Sequence, residues 1–285
     1  MRREFRNGLA ASLVGVAMAV VTPAWGAEGQ AHIAKEEWTF GGITGHYDNE
    51  QLRRGFQVYK NVCAACHGLR LLHYRNLSEP GGPELAEGNV EQIAAEAQVP
   101  DGPNDDGEMF TRPGKPADRF ASPYPNAKAA AAANGGAVPP DLSVMAKARG
   151  IERAGPWYLE PLNWIGDIVT NYQEQGADYM HALLTSYEEP PSGMTMAQGM
   201  YYNAAFPGLQ IAMPPPLSDG VVTYPDGVPA TVDNYSRDVA AFLMWAAEPK
   251  LEERKRMGLK VLIYLTILAG LLYLSKRAIW RNVEH

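Results

Sequence analysis

The sequence predicts a mainly α-helical domain with long loops, followed by one C-terminal transmembrane helix. Three observations carry this expectation. Apolar residues recur at helical spacing in three separate stretches. The 22 prolines and 28 glycines among 285 residues require long connections between those helices. Residues 257–274 form an apolar run whose single charge, Lys260, lies near its start, where a lysine snorkels toward lipid headgroups. Length allows one or two domains, and with no repeat of fixed period residues 27–255 read as one unit.

Residues 1–26 have the layout of a cleaved signal peptide. Arg2, Arg3 and Arg6 precede an apolar run at 9–21, and Ala24-Trp25-Gly26 offers a small-x-small cleavage site before Ala27. Around the C-terminal span, Arg254, Lys255 and Arg256 nearly balance Lys276, Arg277 and Arg281, so flanking charge leaves the orientation open. Export decides it: residues 27–255 are expected in the periplasm, 256–275 in the inner membrane as a single pass, and 276–285 in the cytoplasm.

The first predicted helix begins at Asp48, which with Gln51 resembles a capping box, and places Leu52, Phe56, Tyr59 and Val62 on one face. A second is expected over 177–187, with Tyr179, Leu183 and Leu184 as its apolar face and Pro190-Pro191 closing it. A third spans 232–247, where Val239, Phe242, Leu243 and Ala246 form a stripe ended by Pro249.

The first helix delivers Cys63-Ala64-Ala65-Cys66-His67, which holds the only two cysteines of the chain. Two thiols three positions apart suit two thioether bonds to a porphyrin, and the adjacent histidine suits axial ligation, so the motif reads as attachment of one haem c. Half a zinc site would need a second ligand pair, and His32, His46, His73, His181 and His285 show no paired spacing. A redox dithiol would sit near a βαβ pattern, and none is visible. With both cysteines assigned to haem, packing and the cofactor have to stabilise the domain without a disulfide.

Haem iron needs a sixth ligand, and thioether sulfur raises the reduction potential. Met213, in Gln210-Ile211-Ala212-Met213-Pro214-Pro215-Pro216-Leu217, sits where consecutive prolines stiffen the backbone. Met194, Met196, Met200 and the spare histidines compete with it, and spacing alone leaves that choice open.

From Glu79 to Glu108 there are nine acidic residues and no Lys or Arg. Such runs are commonly solvated surface, but in an electron carrier a one-signed patch steers an oppositely charged partner, here a basic one. The net charge of −7 argues against nucleic acid. No nucleophile, general base or substrate pocket is recognisable, so the chain reads as an electron relay with no substrate chemistry of its own.

Several segments together resemble the cytochrome c1 family, the haem subunit of the ubiquinol–cytochrome c reductase (cytochrome bc1) complex. They are Leu52-Arg53-Arg54-Gly55-Phe56-Gln57-Val58-Tyr59, the haem motif with Gly68, and Gly107-Glu108-Met109-Phe110. They continue with Pro139-Pro140-Asp141-Leu142-Ser143, Ala146-Lys147-Ala148-Arg149, the Met213 segment, and the stretch from Asp238 through Phe242-Leu243-Met244-Trp245 to Lys250. The resemblance implies an enlarged class I cytochrome c fold in which Cys63 and Cys66 hold the haem and His67 and Met213 ligate its iron. It further implies that Pro139 and Pro140 pack along the haem and that Arg149 lies near a propionate, where a forked guanidinium suits a carboxylate. The plainer role for Arg149 is a surface ion pair.

The same resemblance implies one-electron transfer from the Rieske iron–sulfur protein to a soluble or tethered cytochrome c, beside cytochrome b in the bilayer. Another membrane-anchored monohaem cytochrome, serving a different dehydrogenase or a terminal reductase, would share the haem motif but lack the 139–149 and 242–250 segments. An extracytoplasmic metal-binding or assembly protein is the non-redox alternative. Residues 150–176, with Trp157, Pro161, Trp164 and Ile165, depart from shorter family members and read as an inserted loop without ligands.

Overall fold

Helix α1, Asn49–Asn61, starts where the sequence predicts, because the Asp48 carboxylate accepts hydrogen bonds from the Glu50 and Gln51 amides at 3.0 and 3.3 Å. The computed structural model describes residues 33–149, 156–170 and 175–281. The signal-peptide reading of 1–26 and the end of the 276–285 tail lie outside them.

The remaining helices are α2 (Glu87–Ala95), α3 (Ala127–Ala133), α4 (Met145–Ala148), α5 (Glu160–Thr170), α6 (Gln175–Thr185), α7 (Val232–Ala247) and α8 (Leu251–Trp280). Two short antiparallel ribbons join them: β1 (Gln98–Asp101) with β2 (Phe110–Pro113), and β3 (Tyr201–Tyr202) with β4 (Gln210–Ile211). The fold is thus mainly helical with long loops, as expected.

The core is the crossing of α1 and α7, on which α6 and α4 pack. Phe242 of α7 lies 5.6 Å from Phe56 and 5.8 Å from Tyr59, ring centre to ring centre, and Phe120 closes on both α1 rings. The helices cross this closely because position 55 is glycine: a Cβ there would fall 2.1 Å from the Asp238 carbonyl oxygen. Next to it in the chain, Arg54 holds buried Asp238 through two hydrogen bonds at 2.8 and 3.3 Å and reaches Asp226 at 2.8 Å. Burial opposes the Arg54 charge, but the bonds to Asp238 and Asp226 outweigh it and its pKa is raised. Arg54→Ala, which strands the Asp238 carboxylate, is expected to destabilise the domain by about 3–5 kcal/mol, read as a lower urea midpoint with an unchanged slope.

Residues 33–48 strap the outside of this core. Trp38 donates its indole N–H to Asp178 at 2.6 Å, Arg237 pairs with Glu36, and His181 sits between Glu36 at 3.7 Å and Asp233 at 3.0 Å. The strap also grips the start of α8. The Tyr47 amide donates to Glu252 at 2.8 Å, and Lys255 Nζ donates to the Phe40 and Gly42 carbonyls at 2.6 and 2.7 Å. Beyond this grip, residues from Arg256 onward are almost all exposed; α8 as a whole, thirty residues at 1.5 Å each, reaches about 45 Å, more than the roughly 30 Å hydrocarbon core.

Three expectations change. The second helix is described over Gln175–Thr185 and ends two residues short of the predicted 187, with Pro190-Pro191 beyond it. The acidic run is structured: Val90 and Ala94 bury one side of α2, and Asp101 in β1 pairs with Arg112 at 2.5 Å. The 150–176 insertion carries a helix, α5, in place of the expected loop.

Candidate functional site

The motif folds as a single 3-10 turn, Cys63–Ala65, in which the Cys63 carbonyl accepts hydrogen bonds from the Cys66 and His67 amides at 3.1 and 2.9 Å. This turn continues directly from α1, so the helix that anchors the core also aims the two thiols and the imidazole. Cys63 and Cys66 are free thiols and each keeps partial exposure. Burial, and then the neighbouring Cys66, pushes the Cys63 thiol up to about 12.

His67 is oriented from a distant segment. Its Nδ1 lies 2.8 Å from the Pro140 carbonyl oxygen, an acceptor only, so Nδ1 carries the proton and Nε2 keeps the lone pair that a metal needs. Burial lowers the pKa of the ring, outweighing the opposing effects of Pro140 and Asp141. The Tyr59 hydroxyl donates to the His67 carbonyl at 3.0 Å, fixing its backbone as well.

Residues 139–143 are stitched along the motif's far end. Leu142 N donates to Gly68 O at 2.9 Å, Arg70 N to Asp141 Oδ2 at 2.9 Å, and Leu71 N to Ser143 Oγ at 3.1 Å. Pro139 is half-buried and Pro140 exposed. On the other side of the turn, the Tyr124 hydroxyl points at Cys66 Sγ at 3.8 Å and accepts from Asn134 at 3.1 Å.

Met213 is held by a different part of the fold. The β3–β4 ribbon ends two residues before it, and Asn203, fully buried, ties that ribbon to α6 by donating to the Leu183 carbonyl at 2.7 Å. The Tyr187 hydroxyl then donates to the Met213 carbonyl at 3.1 Å. Met194, Met196 and Met200 share its half-buried character, so backbone anchoring by Tyr187, not burial, distinguishes Met213. Arg149 stands exposed at the end of α4, close enough to buried Tyr179 on α6 to act on its hydroxyl.

The structure therefore brings Cys63, Cys66, His67 and Pro140 together, while Met213 and Arg149 sit on the α4–α6 side. Tyr59, Asp141, Tyr124 and Tyr187 were missed by sequence reasoning. Tyr59 stood in the predicted helical stripe and Asp141 in the 139–143 segment, without a role for either; nothing local marked Tyr124 and Tyr187. Among the described residues no three His, Cys, Asp or Glu side chains converge on one point. Two accessible thiols beside an Nδ1-protonated imidazole instead form the donor set that covalent haem attachment requires.

Comparison with known proteins identifies the family. The cytochrome b/c1 of Bradyrhizobium diazoefficiens is 52% identical over 256 residues, which cover 90% of this chain and 36% of that protein; this chain thus spans about a third of that relative's length. The cytochrome c1 of Rhodospirillum rubrum is 45% identical over 284 residues, covering 95% of this chain and 96% of the other. A mitochondrial cytochrome c1 heme protein of Solanum tuberosum is 48% identical over 230 residues, covering 81% of this chain and 78% of its own length. The model of the cytochrome C1 family matches residues 38–283, from the strap through the haem motif to the membrane helix, and the chain belongs to that family.

Proposed function

We propose that this chain is the electron-transfer haem subunit of a cytochrome bc1 complex, accepting one electron from a Rieske iron–sulfur protein and passing it to a basic cytochrome c. The single observation that carries this reading is the Cys63–His67 turn with His67 Nδ1 committed to Pro140, within a chain of the cytochrome c1 family that ends in a membrane-length helix.

Bound haem c supplies a one-electron ferric–ferrous couple whose potential is raised by His and Met ligation. Cys63 and Cys66 would provide the two covalent links, and His67 would offer Nε2 to the iron. Pro140 and Tyr59 hold that imidazole in one orientation, and Tyr187 holds the Met213 backbone, so neither ligand needs to rearrange when charge changes at the site. Pro139 lines the site beside Pro140, and Arg149 supplies a cation for a haem propionate. The chain performs no bond chemistry; quinol oxidation belongs to its partners. Cytochrome b is one such partner, a reading supported by the name cytochrome b/c1 carried by the Bradyrhizobium relative.

The haem domain lies in the periplasm, with residues 1–26 removed on export, α8 crossing the inner membrane and the last residues in the cytoplasm. The acceptor docks on the acidic surface built by α2 and the β1–β2 ribbon. Glu87, Glu91, Asp105, Asp106 and Glu108 are all exposed there, whereas Glu96 and Asp101 are engaged by Lys60 and Arg112. Replacing Glu87, Glu91, Asp105 and Asp106 together by lysine is expected to slow reduction of a basic cytochrome c by about 10–100-fold at low salt, measured by stopped-flow. The difference should shrink as salt shortens the screening length. An equal rate at low salt would remove this surface from the docking site.

A further inference from the structure

Helix α5 and the turn before it present large apolar side chains to the outside. Tyr158, Leu159, Leu162 and Ile165, on the turn before it and on its first two turns, are 63, 40, 63 and 57% exposed. Asn163 and Asp167, on the opposite side at helical spacing, are half-buried. These four apolar side chains therefore face outward. Large apolar side chains gain free energy when removed from water, so these four call for an apolar covering.

The roots of the excursion locate that covering. At its far end Gly176 lies so close to α4 that a Cβ would fall 1.6 Å from the Ala146 carbonyl oxygen and 2.8 Å from that of Arg149. The excursion thus leaves and returns at one point. Beside that point Lys147 pairs with Glu248, which also pairs with Arg254 in the first turn of α8. Leu251, where α8 begins, is buried, and the exposed apolar run starts at Met257, six residues or about 9 Å along the helix. A headgroup layer is roughly 5–8 Å thick on each side of the hydrocarbon core. The excursion is therefore rooted about one headgroup layer above the hydrocarbon edge.

We infer that α5 is a membrane-surface element whose Tyr158, Leu159, Leu162 and Ile165 face lies in the headgroup layer of the bilayer beside the anchor helix. Its eleven residues are too few to span a membrane, and tyrosine with aliphatic side chains on one face is the composition of an interfacial helix. Together with the strap's hold on α8, this second contact would fix the tilt of the haem domain above the membrane. The inference rests on α8 being the anchor.

The test uses the full haem-loaded chain in phospholipid nanodiscs. Haem attachment consumes the two native cysteines, so Leu162→Cys, Ile165→Cys, Asp167→Cys and Ile267→Cys each introduce one free thiol for a nitroxide label. Collision with oxygen, which partitions into lipid, is compared with collision by a water-soluble nickel chelate. Labels at 162, 165 and 267 are expected to favour oxygen several-fold, and the label at 167 to favour nickel. Nickel preference at 162 and 165 with oxygen preference at 267 would overturn the inference and leave the anchor intact, as would shielding of 162 and 165 from both reagents, which would mean a protein covers them. Nickel preference at 267 would overturn the anchor reading and the inference together.

Discussion

Met213→Leu is expected to lower the haem midpoint potential by a few tenths of a volt, a sizeable part of the roughly 0.8 V over which axial ligands tune haem. The substitution keeps volume and apolar character, and the Tyr187 bond is to the Met213 carbonyl, so the backbone anchor survives. What is lost is the thioether. An optical redox titration beside the native protein reads the change, and carbon monoxide supplies an independent check, since the variant should bind it and the native protein should not. An unchanged potential would transfer the ligand role to Met194, Met196, Met200 or a histidine. A Tyr187→Phe variant refines the point: it removes the bond to Met213 without touching the sulfur, and should give a potential closer to native with easier displacement by carbon monoxide.

Gly55→Val is expected to abolish stable folding of the haem domain. The first added carbon would meet the Asp238 carbonyl at 2.1 Å and the Phe242 Cβ at 2.7 Å, and both belong to a helix that cannot yield locally because its own packing against α1, α4 and α6 holds it. Overpacking usually costs about 1–3 kcal/mol; a backbone-to-side-chain overlap this deep lies at or above the upper end, a large share of the 5–15 kcal/mol by which a domain is stable. Recovery of haem-loaded protein from membranes, judged by its visible spectrum and covalent haem stain, measures the outcome. Wild-type yield and thermal midpoint in the variant would mean that the helices separate without penalty.

The two variants separate two kinds of information. Much of what depends on neighbours along the chain was legible beforehand. The Asp48 cap, the stripe of Leu52, Phe56 and Tyr59, the span of Val232–Ala247, the haem motif and the membrane helix follow from spacing and from residue chemistry within a few turns. Helices whose evidence was of another kind were not read. Alanines at 127–133 carry propensity without periodicity, and the helix forms there because Asn126 caps it, accepting from the Ala129 amide at 2.9 Å. In α2 the acidic side chains suggested solvated surface, and burial of Val90 and Ala94 made it an element of the fold.

The sequence by itself determined the chemistry of the site and its carrier: two thiols and an imidazole on one turn, a methionine among prolines, and an apolar run long enough for a bilayer. Only the tertiary structure decided how those groups are held. Pro140 orients His67 across 73 positions, Tyr187 fixes Met213 across 26, and Lys255 clasps Phe40 across 215. The physical reason is range: periodicity and capping act over one or two turns, whereas the partner of a buried imidazole or a backbone carbonyl is chosen by which segments the packed core brings within 3 Å.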